Sequence, residues 1–165
     1  MKSPHSPKSL LREDSGRPER ATLARTGSGN AKNQPPVLSK KILVADDIAM
    51  NRELMREVLE SSGYLVVEAR DGGEAIREAY EGQPDLILLD IDMPVLNGYA
   101  VARRLRQDKH FGEVPIIAIT GLSSREDRER AYDAGFNAFL RKPFNLSNLM
   151  AEIECFLGAN PAPEA

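Results

Sequence analysis

The sequence contains no tryptophan, a single cysteine and few aromatic residues, 5% of its 165 positions. It also has no long apolar run: stretches such as residues 42–45 and 86–89 are far shorter than the roughly 20 residues that cross a bilayer. They are too short for a signal-peptide core as well, so we expect a soluble, cytoplasmic protein. Cys155 cannot form an internal disulfide, and its apolar neighbours predict a small buried side chain. The length fits one domain, with or without an appendage.

Charge is unevenly distributed, although the formal net charge is only −3. Residues 1–36 hold seven Lys or Arg and three acidic residues, giving +4, so the rest of the chain carries −7. The same segment is rich in Pro and Ser and cannot bury enough apolar surface to offset its ordering entropy. We therefore expect a disordered basic tail over residues 1–38, serving as a linker or a weak contact with an anionic partner. A single domain over 39–158 and a flexible C-terminal tail over 159–165 are expected to follow it.

From Lys40 onward, short apolar runs alternate with amphipathic segments, a pattern typical of βα units. Three of the five predicted strands are apolar throughout, as expected for parallel strands covered by helices on both faces. The predicted strands are residues 41–45, 64–69, 85–89, 115–119 and 138–141. The fold class is therefore α/β, a doubly wound (βα)5 sheet of five parallel strands.

The five helices are predicted from apolar spacing and from residues that begin or end helices. The first is expected over 51–62 before Gly63, and the third over 98–106. Asp71 is expected to cap the second helix. Ser123 and Glu126 predict a capping box for a strongly charged fourth helix. Asn145 is expected to cap the fifth, with either Phe156 or Leu157 directed inward at its end.

Charged and hydroxyl side chains occur at or just after the carboxyl ends of four predicted strands: Asp46, Asp47, Asp90, Thr120 and Lys142. In an open doubly wound sheet, functional groups gather at that edge. An Asp after a strand is often only the N-cap of the next helix, and this alternative stays open for Asp46 and Asp47. Asp90 is different, because residues 90–97 separate it from the next predicted helix.

The combination of these side chains indicates phosphoryl chemistry. Three crowded carboxylates repel one another unless a cation is present, and oxygen ligands favour a hard divalent ion such as Mg²⁺. The metal and Lys142 can neutralise a transferring phosphoryl group, Thr120 can donate to it, and an ionised Asp is a competent nucleophile. The two histidines, His5 and His110, lie outside this set, so acid–base catalysis by histidine is not expected.

Four segments together resemble the receiver domain of two-component response regulators, the CheY-like superfamily: KILVADD, LILLDIDMPVLNGYA, PIIAIT and FLRKPF. The similarity covers about residues 40–158. The spacing also agrees, with 43 residues from Asp47 to Asp90, 30 from there to Thr120 and 22 more to Lys142. The resemblance implies a flavodoxin-like sheet of order 2-1-3-4-5 and a role in bacterial phosphorelay signalling.

The resemblance also implies a role for each residue of the site. Asp90 is the implied phosphoacceptor, which receives a phosphoryl group in a Mg²⁺-dependent reaction. Asp47 is the implied direct Mg²⁺ ligand, Asp46 acts through water, and the backbone carbonyl of Asp92 is a further ligand. Lys142 is implied to pair with the phosphoryl group. The resemblance likewise implies that the Lys142 to Pro143 peptide bond is cis.

Thr120 and Phe139 are the implied switch residues. Phosphorylation is expected to draw the Thr120 hydroxyl inward and let the Phe139 ring turn in, which remodels the face formed by the fourth helix, fifth strand and fifth helix. Phe139 lacks the hydroxyl of the tyrosine common at this position. The side chains of Asp92 and Leu122 are implied to flank the path of the attacking water and so to tune the lifetime of the phosphorylated state.

The implied partners are a histidine kinase or a histidine phosphotransfer protein, and a downstream protein target. No nucleic-acid or membrane partner is expected, and the implied state is a monomer or a weak phosphorylation-dependent dimer. The chain is expected to catalyse only its own phosphorylation and slow dephosphorylation. It resembles a stand-alone receiver, although a receiver domain from a hybrid histidine kinase would look similar. A haloacid-dehalogenase-type phosphatase is a further alternative because Asp90 and Asp92 form a DxD pair, but Asp46 and Asp47 precede that pair, contrary to the order in those enzymes.

Overall fold

The computed structural model describes residues 38–159. The predicted basic tail, apart from its last residue, and residues 160–165 lie outside the described residues, so the expected disorder at both ends stays a prediction.

Five parallel strands form one sheet in the order β2-β1-β3-β4-β5. The strands are β1 (Lys41–Ala45), β2 (Leu65–Ala69), β3 (Leu86–Asp90), β4 (Ile116–Thr120) and β5 (Ala138–Arg141). The helices are α1 (Ala49–Ser61), α2 (Gly72–Gly82), α3 (Gly98–Arg106), α4 (Arg125–Ala134) and α5 (Leu146–Leu157), with a short 3-10 turn at Lys109–Phe111. The predicted (βα)5 fold and its strand order are confirmed.

Helices cover both faces of the sheet, which explains why the central strands are apolar throughout. Leu43 and Ala45 of β1 pack with buried residues of α2, α3 and α4. Ile42 and Val44 of the same strand face the opposite way and pack with buried residues of α1 and α5. Every residue of β3 and β4 is buried. The polar side chains at the ends of these strands are therefore fixed by two apolar cores.

Two predictions about local structure are wrong. The capping box of α4 lies one residue later than predicted, because Ser124 accepts a hydrogen bond from the Asp127 N–H while Asp127 accepts one from the Ser124 N–H, both at 3.0 Å. Two consecutive serines are each followed three positions later by an acid, and the helix begins after the second. Cys155 is exposed, not buried. It follows buried Ile153 of α5 by two residues, about 200° around a helix, which places it on the solvent side.

Other helix ends follow the sequence pattern. Asp71 caps α2 by accepting a 2.8 Å hydrogen bond from the Glu74 N–H. Asn145 caps α5 in the same way, through the Asn148 N–H at 2.7 Å. At the end of α5, Leu157 packs against the core while Phe156 is exposed. Among the described helices, none combines the length and the apolar composition needed to span a bilayer.

Candidate functional site

The predicted site residues lie at the carboxyl edge of the sheet. Asp46 directly follows β1, Asp90 and Thr120 are the last residues of β3 and β4, and Lys142 directly follows β5. Parallel pairing in register brings these strand ends side by side, with Asp90 opposite Ile119 and Thr120 opposite Arg141. Residues almost a hundred positions apart in the sequence therefore share one edge.

Asp46 is fully buried, and its carboxylate accepts several hydrogen bonds. Oδ1 accepts from the Ile48 N–H at 2.8 Å and Oδ2 accepts from the Lys142 ammonium at 3.0 Å. The Asn51 side-chain amide donates to both oxygens at 3.2 Å. These donors fix the orientation of the carboxylate.

Asp90 is also buried, with 3% of its surface exposed. Oδ1 accepts a 3.0 Å hydrogen bond from the Asp92 N–H, and Oδ2 accepts one of 3.0 Å from Lys142. Burial raises the pKa of Asp90 above its ordinary value, although both hydrogen bonds act in the opposite direction. Burial by itself would lower the pKa of Lys142, but its hydrogen bonds to Asp46 and Asp90 outweigh that effect and raise it. Lys142 is thus a firmly protonated ammonium shared by two buried carboxylates.

Asp47 completes an acidic cluster with Asp46 and Asp90. One carboxylate oxygen from each lies within 4.8 Å of the others, and Asp47 is the exposed member. Within residues 38–159, Lys142 is the one cation that pairs with these carboxylates, so three negative charges face a single positive one. The three hard oxygen donors and their excess negative charge fit a divalent cation such as Mg²⁺.

The remaining predicted residues surround this cluster without touching its carboxylates through their side chains. The Thr120 hydroxyl is fully buried and accepts a 3.0 Å hydrogen bond from the Leu122 N–H. Asp92 is exposed, and its backbone N–H is what contacts Asp90. Phe139 is half-buried and packs, as Leu122 does, against the core beneath α3 and α4. The Lys142–Pro143 peptide bond is cis.

Two positioning residues of the site were not predicted from the sequence. Asn51 binds the Asp46 carboxylate, and Arg52 donates a 2.8 Å hydrogen bond to the Asp46 backbone carbonyl. Arg52 also pairs with Glu68 of β2, with Nε and Oε1 3.3 Å apart. Asn51 and Arg52 lie five and six residues after Asp46. This spacing indicates contact with Asp46 only if α1 begins near residue 49. The predicted start at residue 51 concealed it.

The loop after Asp90 depends on Gly98, the first residue of α3. The Gly98 N–H donates a 2.8 Å hydrogen bond to the Ile91 carbonyl. A Cβ at this position would lie 2.5 Å from the Asp90 carbonyl oxygen and 2.7 Å from the Ile91 Cα. Only glycine lets the start of α3 lie this close to the backbone of Asp90.

Comparison with known proteins identifies the family to which this fold belongs. Residues 42–154 match the model of the family described as the response regulator receiver domain. The chain belongs to this family. As a receiver domain, it is 34% identical over 121 residues to the polar-differentiation response regulator DivK of Brucella ovis, an alignment that covers 73% of this chain and 98% of DivK.

Solved receiver domains agree in structure as well as in sequence. The receiver domain of the sensor histidine kinase PA1611 from Pseudomonas aeruginosa is 36% identical with a TM-score of 0.68, covering 73% of this chain and 98% of that one. That structure is described with a magnesium ion coordinated in its active site cleft. The Vibrio cholerae chemotaxis protein CheY4 is 30% identical with a TM-score of 0.69, covering 72% of this chain and 98% of that chain. The predicted receiver family is confirmed, and the phosphatase alternative has no support from these matches.

Proposed function

We propose that Asp90 accepts a phosphoryl group from a phosphohistidine of a histidine kinase or a histidine phosphotransfer protein, and that the resulting change controls a downstream protein partner. The observation that carries this proposal is the buried Asp90 carboxylate, held by Lys142 and by the Asp92 N–H beside two further carboxylates. These contacts hold the Asp90 carboxylate in place, and the exposed Asp47 leaves the acidic cluster accessible to a divalent ion.

The transfer itself needs little from the protein beyond position and charge. An oxygen of the ionised Asp90 attacks phosphorus and forms a P–O bond, while the P–N bond to the donor histidine breaks and its electron pair returns to the imidazole. No general base is required, because the nucleophile carries no proton. The Lys142 ammonium, 3.0 Å from Asp90 Oδ2, is placed to offset negative charge on the transferring oxygens.

The carboxylates of Asp46, Asp47 and Asp90 and the backbone carbonyl of Asp92 are the groups that would hold Mg²⁺. When bound, this ion supplies positive charge that neutralises phosphoryl oxygens. The Asp47 carboxylate makes no hydrogen bond to any residue from 38 to 159, whereas Asp46 is occupied by Ile48, Asn51 and Lys142. This difference supports direct ligation by Asp47 and a water-mediated role for Asp46.

The response to phosphorylation is assigned to Thr120 and Phe139. The Thr120 hydroxyl uses its oxygen to accept from the Leu122 N–H, so its own proton is available to a phosphoryl oxygen on Asp90. Movement of that hydroxyl would disturb Leu122, which shares a core with Phe139, and so alter the α4–β5–α5 face. The side chains of Asp92 and Leu122 are assigned to tuning the access of hydrolytic water.

An apolar surface beside the site supports docking of the phosphodonor. Ile48, Met50 and Leu54 of α1 and its N-cap are exposed, and Leu54 borders a cavity of about 550 Å³ that also reaches Asp46 and Lys142. A protein that presents a phosphohistidine to Asp90 from this side would cover this surface and bury apolar area on binding. We place these encounters in the cytoplasm, with the chain as a monomer or a weak phosphorylation-dependent dimer.

The proposal is tested by adding beryllofluoride, a phosphoryl mimic, together with Mg²⁺ to the ¹⁵N-labelled protein. Stoichiometric binding should shift the amide resonances of Thr120, Phe139 and Lys142. Asp90→Asn should abolish the shifts, whereas the matched control Asp92→Asn should keep them, because Asp92 is assigned to the metal site through its main chain and its side chain only to hydrolytic water, which beryllofluoride binding does not involve. An unchanged wild-type spectrum would overturn the proposal. Phosphotransfer from candidate histidine kinases and phosphotransfer proteins, with Asp90→Asn as control, then identifies the donor.

A further inference from the structure

Asp46 differs from the other two carboxylates of the acidic cluster in the number of hydrogen bonds that it accepts. A carboxylate offers about four acceptor positions. Asp46 uses four, one for a main-chain N–H, one for Lys142 and two for the Asn51 amide. Asp90 accepts two hydrogen bonds, and Asp47 accepts none from residues 38–159. A cation can therefore bond directly to Asp47 and Asp90, but to Asp46 only by displacing a donor.

The Asn51 amide nitrogen lies 3.2 Å from each of the two carboxylate oxygens of Asp46. It is equidistant from them, and so it occupies the approach that an ion held by both oxygens at once would take. The other donors leave this approach open, because the Ile48 N–H contacts only Oδ1 and the Lys142 ammonium contacts only Oδ2. Within residues 38–159, Asn51 is thus the one residue that bonds to both oxygens.

The helix that carries Asn51 is tied down beside the cluster. Asn51 is the third residue of α1, and the next residue, Arg52, donates a 2.8 Å hydrogen bond to the Asp46 carbonyl. The same guanidinium pairs with Glu68 of β2, whose second carboxylate oxygen lies 2.6 Å from Arg56. The first turn of α1 is therefore fixed to the main chain of Asp46 and to the neighbouring strand. A regular element presents the amide to the carboxylate.

Divalent ions differ in how they use carboxylates. Ca²⁺ takes about six to eight oxygen ligands in a flexible arrangement and binds carboxylates through one or both oxygens. Mg²⁺ demands nearly octahedral geometry, retains several waters and uses few carboxylates. The narrow angle between the two oxygens of one carboxylate does not suit an octahedral ion. A carboxylate that is free to bind through both oxygens would therefore strengthen the binding of Ca²⁺ more than that of Mg²⁺.

We propose that Asn51 prevents Asp46 from binding a cation through both oxygens and thereby favours Mg²⁺ over Ca²⁺ at the acidic cluster. This inference rests on the proposed function, which assigns the cluster to a divalent ion. Asn51 acts through Asp46 and does not contact the ion, so it is a positioning residue. A metal-bound water can replace one of its two bonds to Asp46 at little cost, since one neutral donor is exchanged for another. A chelated Ca²⁺ must displace the amide from both oxygens.

The test compares titrations of the full ¹⁵N-labelled chain with Mg²⁺ and with Ca²⁺, followed through the amide resonances of residues 46–48 and 90–92. In Asn51→Ala, the dissociation constant for Ca²⁺ divided by that for Mg²⁺ should fall about tenfold, since one hydrogen bond to a charged group is worth about that factor. The dissociation constant for Mg²⁺ itself should change by less than about threefold, because a water replaces the lost donor. Alanine is a strong helix former, so α1 should stay intact.

Asn148→Ala is the matched control. Asn148 is exposed and is the third residue of α5, as Asn51 is the third residue of α1. In this variant the ratio of the two dissociation constants should stay within about twofold of the wild-type ratio. A second measurement needs no substitution. In the wild type, saturating Ca²⁺ should shift the side-chain amide resonances of Asn51 more than saturating Mg²⁺ does, because Ca²⁺ displaces the amide from both oxygens.

Four results would overturn the inference: an unchanged ratio in Asn51→Ala, equal weakening of both ions in that variant, an equal effect of Asn148→Ala, or Asn51 side-chain resonances that shift as much with Mg²⁺ as with Ca²⁺. Equal weakening of both ions would mean that Asn51 only supports the fold of the site. Failure of the wild type to bind either ion contradicts the metal site of the proposed function, and this inference with it. Wild-type binding of both ions together with any of the four results contradicts this inference alone.

Discussion

Replacing Gly98 with alanine should damage both the stability of the domain and the position of Asp90, the proposed phosphoacceptor. The new Cβ would lie 2.5 Å from the Asp90 carbonyl oxygen, whereas ordinary contact begins near 3.4 Å. The backbone of Asp90 or the start of α3 must therefore move by about 0.9 Å. Neither can yield easily, because Asp90 ends a buried strand and the Gly98 N–H is bonded to the Ile91 carbonyl.

The expected cost follows from this overlap. Overpacking against buried backbone destabilises a protein by about 1–3 kcal/mol, and we expect a value near the upper end because the clashing atoms are main chain. For a domain of this size the midpoint of thermal unfolding should fall by roughly 5–10 °C. A displacement of nearly 1 Å at a reacting group can cost on the order of a hundredfold in rate, so phosphorylation of the folded variant should slow by about 10- to 100-fold.

Urea unfolding followed by far-UV circular dichroism measures the stability, since the chain has no tryptophan to report it. Phosphorylation by a small phosphodonor, measured by phosphate-affinity electrophoresis, gives the rate. Gly112→Ala is the matched control, because Gly112 has a right-handed helical φ of −59° and its Cβ would meet only the Lys109 carbonyl at 3.4 Å. The argument is refuted if Gly98→Ala unfolds within 0.5 kcal/mol of wild type, or if Gly112→Ala loses as much.

Two further substitutions test the electrostatics and the backbone. Because burial raises the pKa of Asp90, ionisation is less favourable in the folded state, and metal-free stability should fall as pH rises through that raised pKa. Asp90→Asn should therefore be more stable than wild type in EDTA at pH 8. The difference in stability between the variant and wild type should vanish below pH 3.8, the ordinary pKa of an Asp side chain. A difference that urea titrations show to be independent of pH contradicts this account. Val95 is β-branched, is 78% exposed and has a φ of 70°, a conformation that Asn tolerates better. Val95→Asn should therefore raise the free energy of unfolding by roughly 0.5–1 kcal/mol. An unchanged or lower melting temperature contradicts this prediction.

The fold could be predicted because its strands carry an unusually plain signal. The apolar runs of β1, β3 and β4 have no polar face, so they indicate parallel strands buried on both sides. Strand boundaries were right to within one residue. The order of the strands did not follow from these patterns, because spacing along the chain says nothing about which strands become neighbours; it came from the family resemblance.

Errors arose where the sequence offered two equivalent choices. Ser123 and Ser124 are each followed three residues later by an acid, so the sequence does not distinguish them, and in the structure Ser124 is the N-cap of α4. Cys155 has apolar neighbours in the sequence, but on a helix those neighbours point in different directions. Composition alone therefore misjudged its exposure.

The sequence predicted which charged residues lie together at the site, but not the residues that hold them in position. Strand ends predicted that Asp46, Asp90 and Lys142 would be close together, and Lys142 lies 3.0 Å from both carboxylates. Asn51 could not be predicted to bind Asp46, because α1 begins two residues earlier than predicted, at Ala49, and each residue of a helix turns the side-chain direction by about 100°. The close approach of Gly98 to Asp90 depends on the path of an irregular loop, for which the sequence carries no periodic signal.

The position of Lys142 links charge at the site to the output face. Its ammonium bridges Asp46 and Asp90, and its backbone N–H donates a 2.7 Å hydrogen bond to the Thr120 carbonyl. Conversion of the Asp90 carboxylate to an acyl phosphate would add negative charge on one side of this bridge, so the ammonium would be drawn towards Asp90 and away from Asp46. Lys142 directly follows β5, and β5 contains Phe139, three residues before Lys142. Under the proposed function, a change in charge at Asp90 would act on the α4–β5–α5 face through two connections, the Thr120 hydroxyl and the main chain of Lys142. Loss of either connection should then weaken the response without abolishing it.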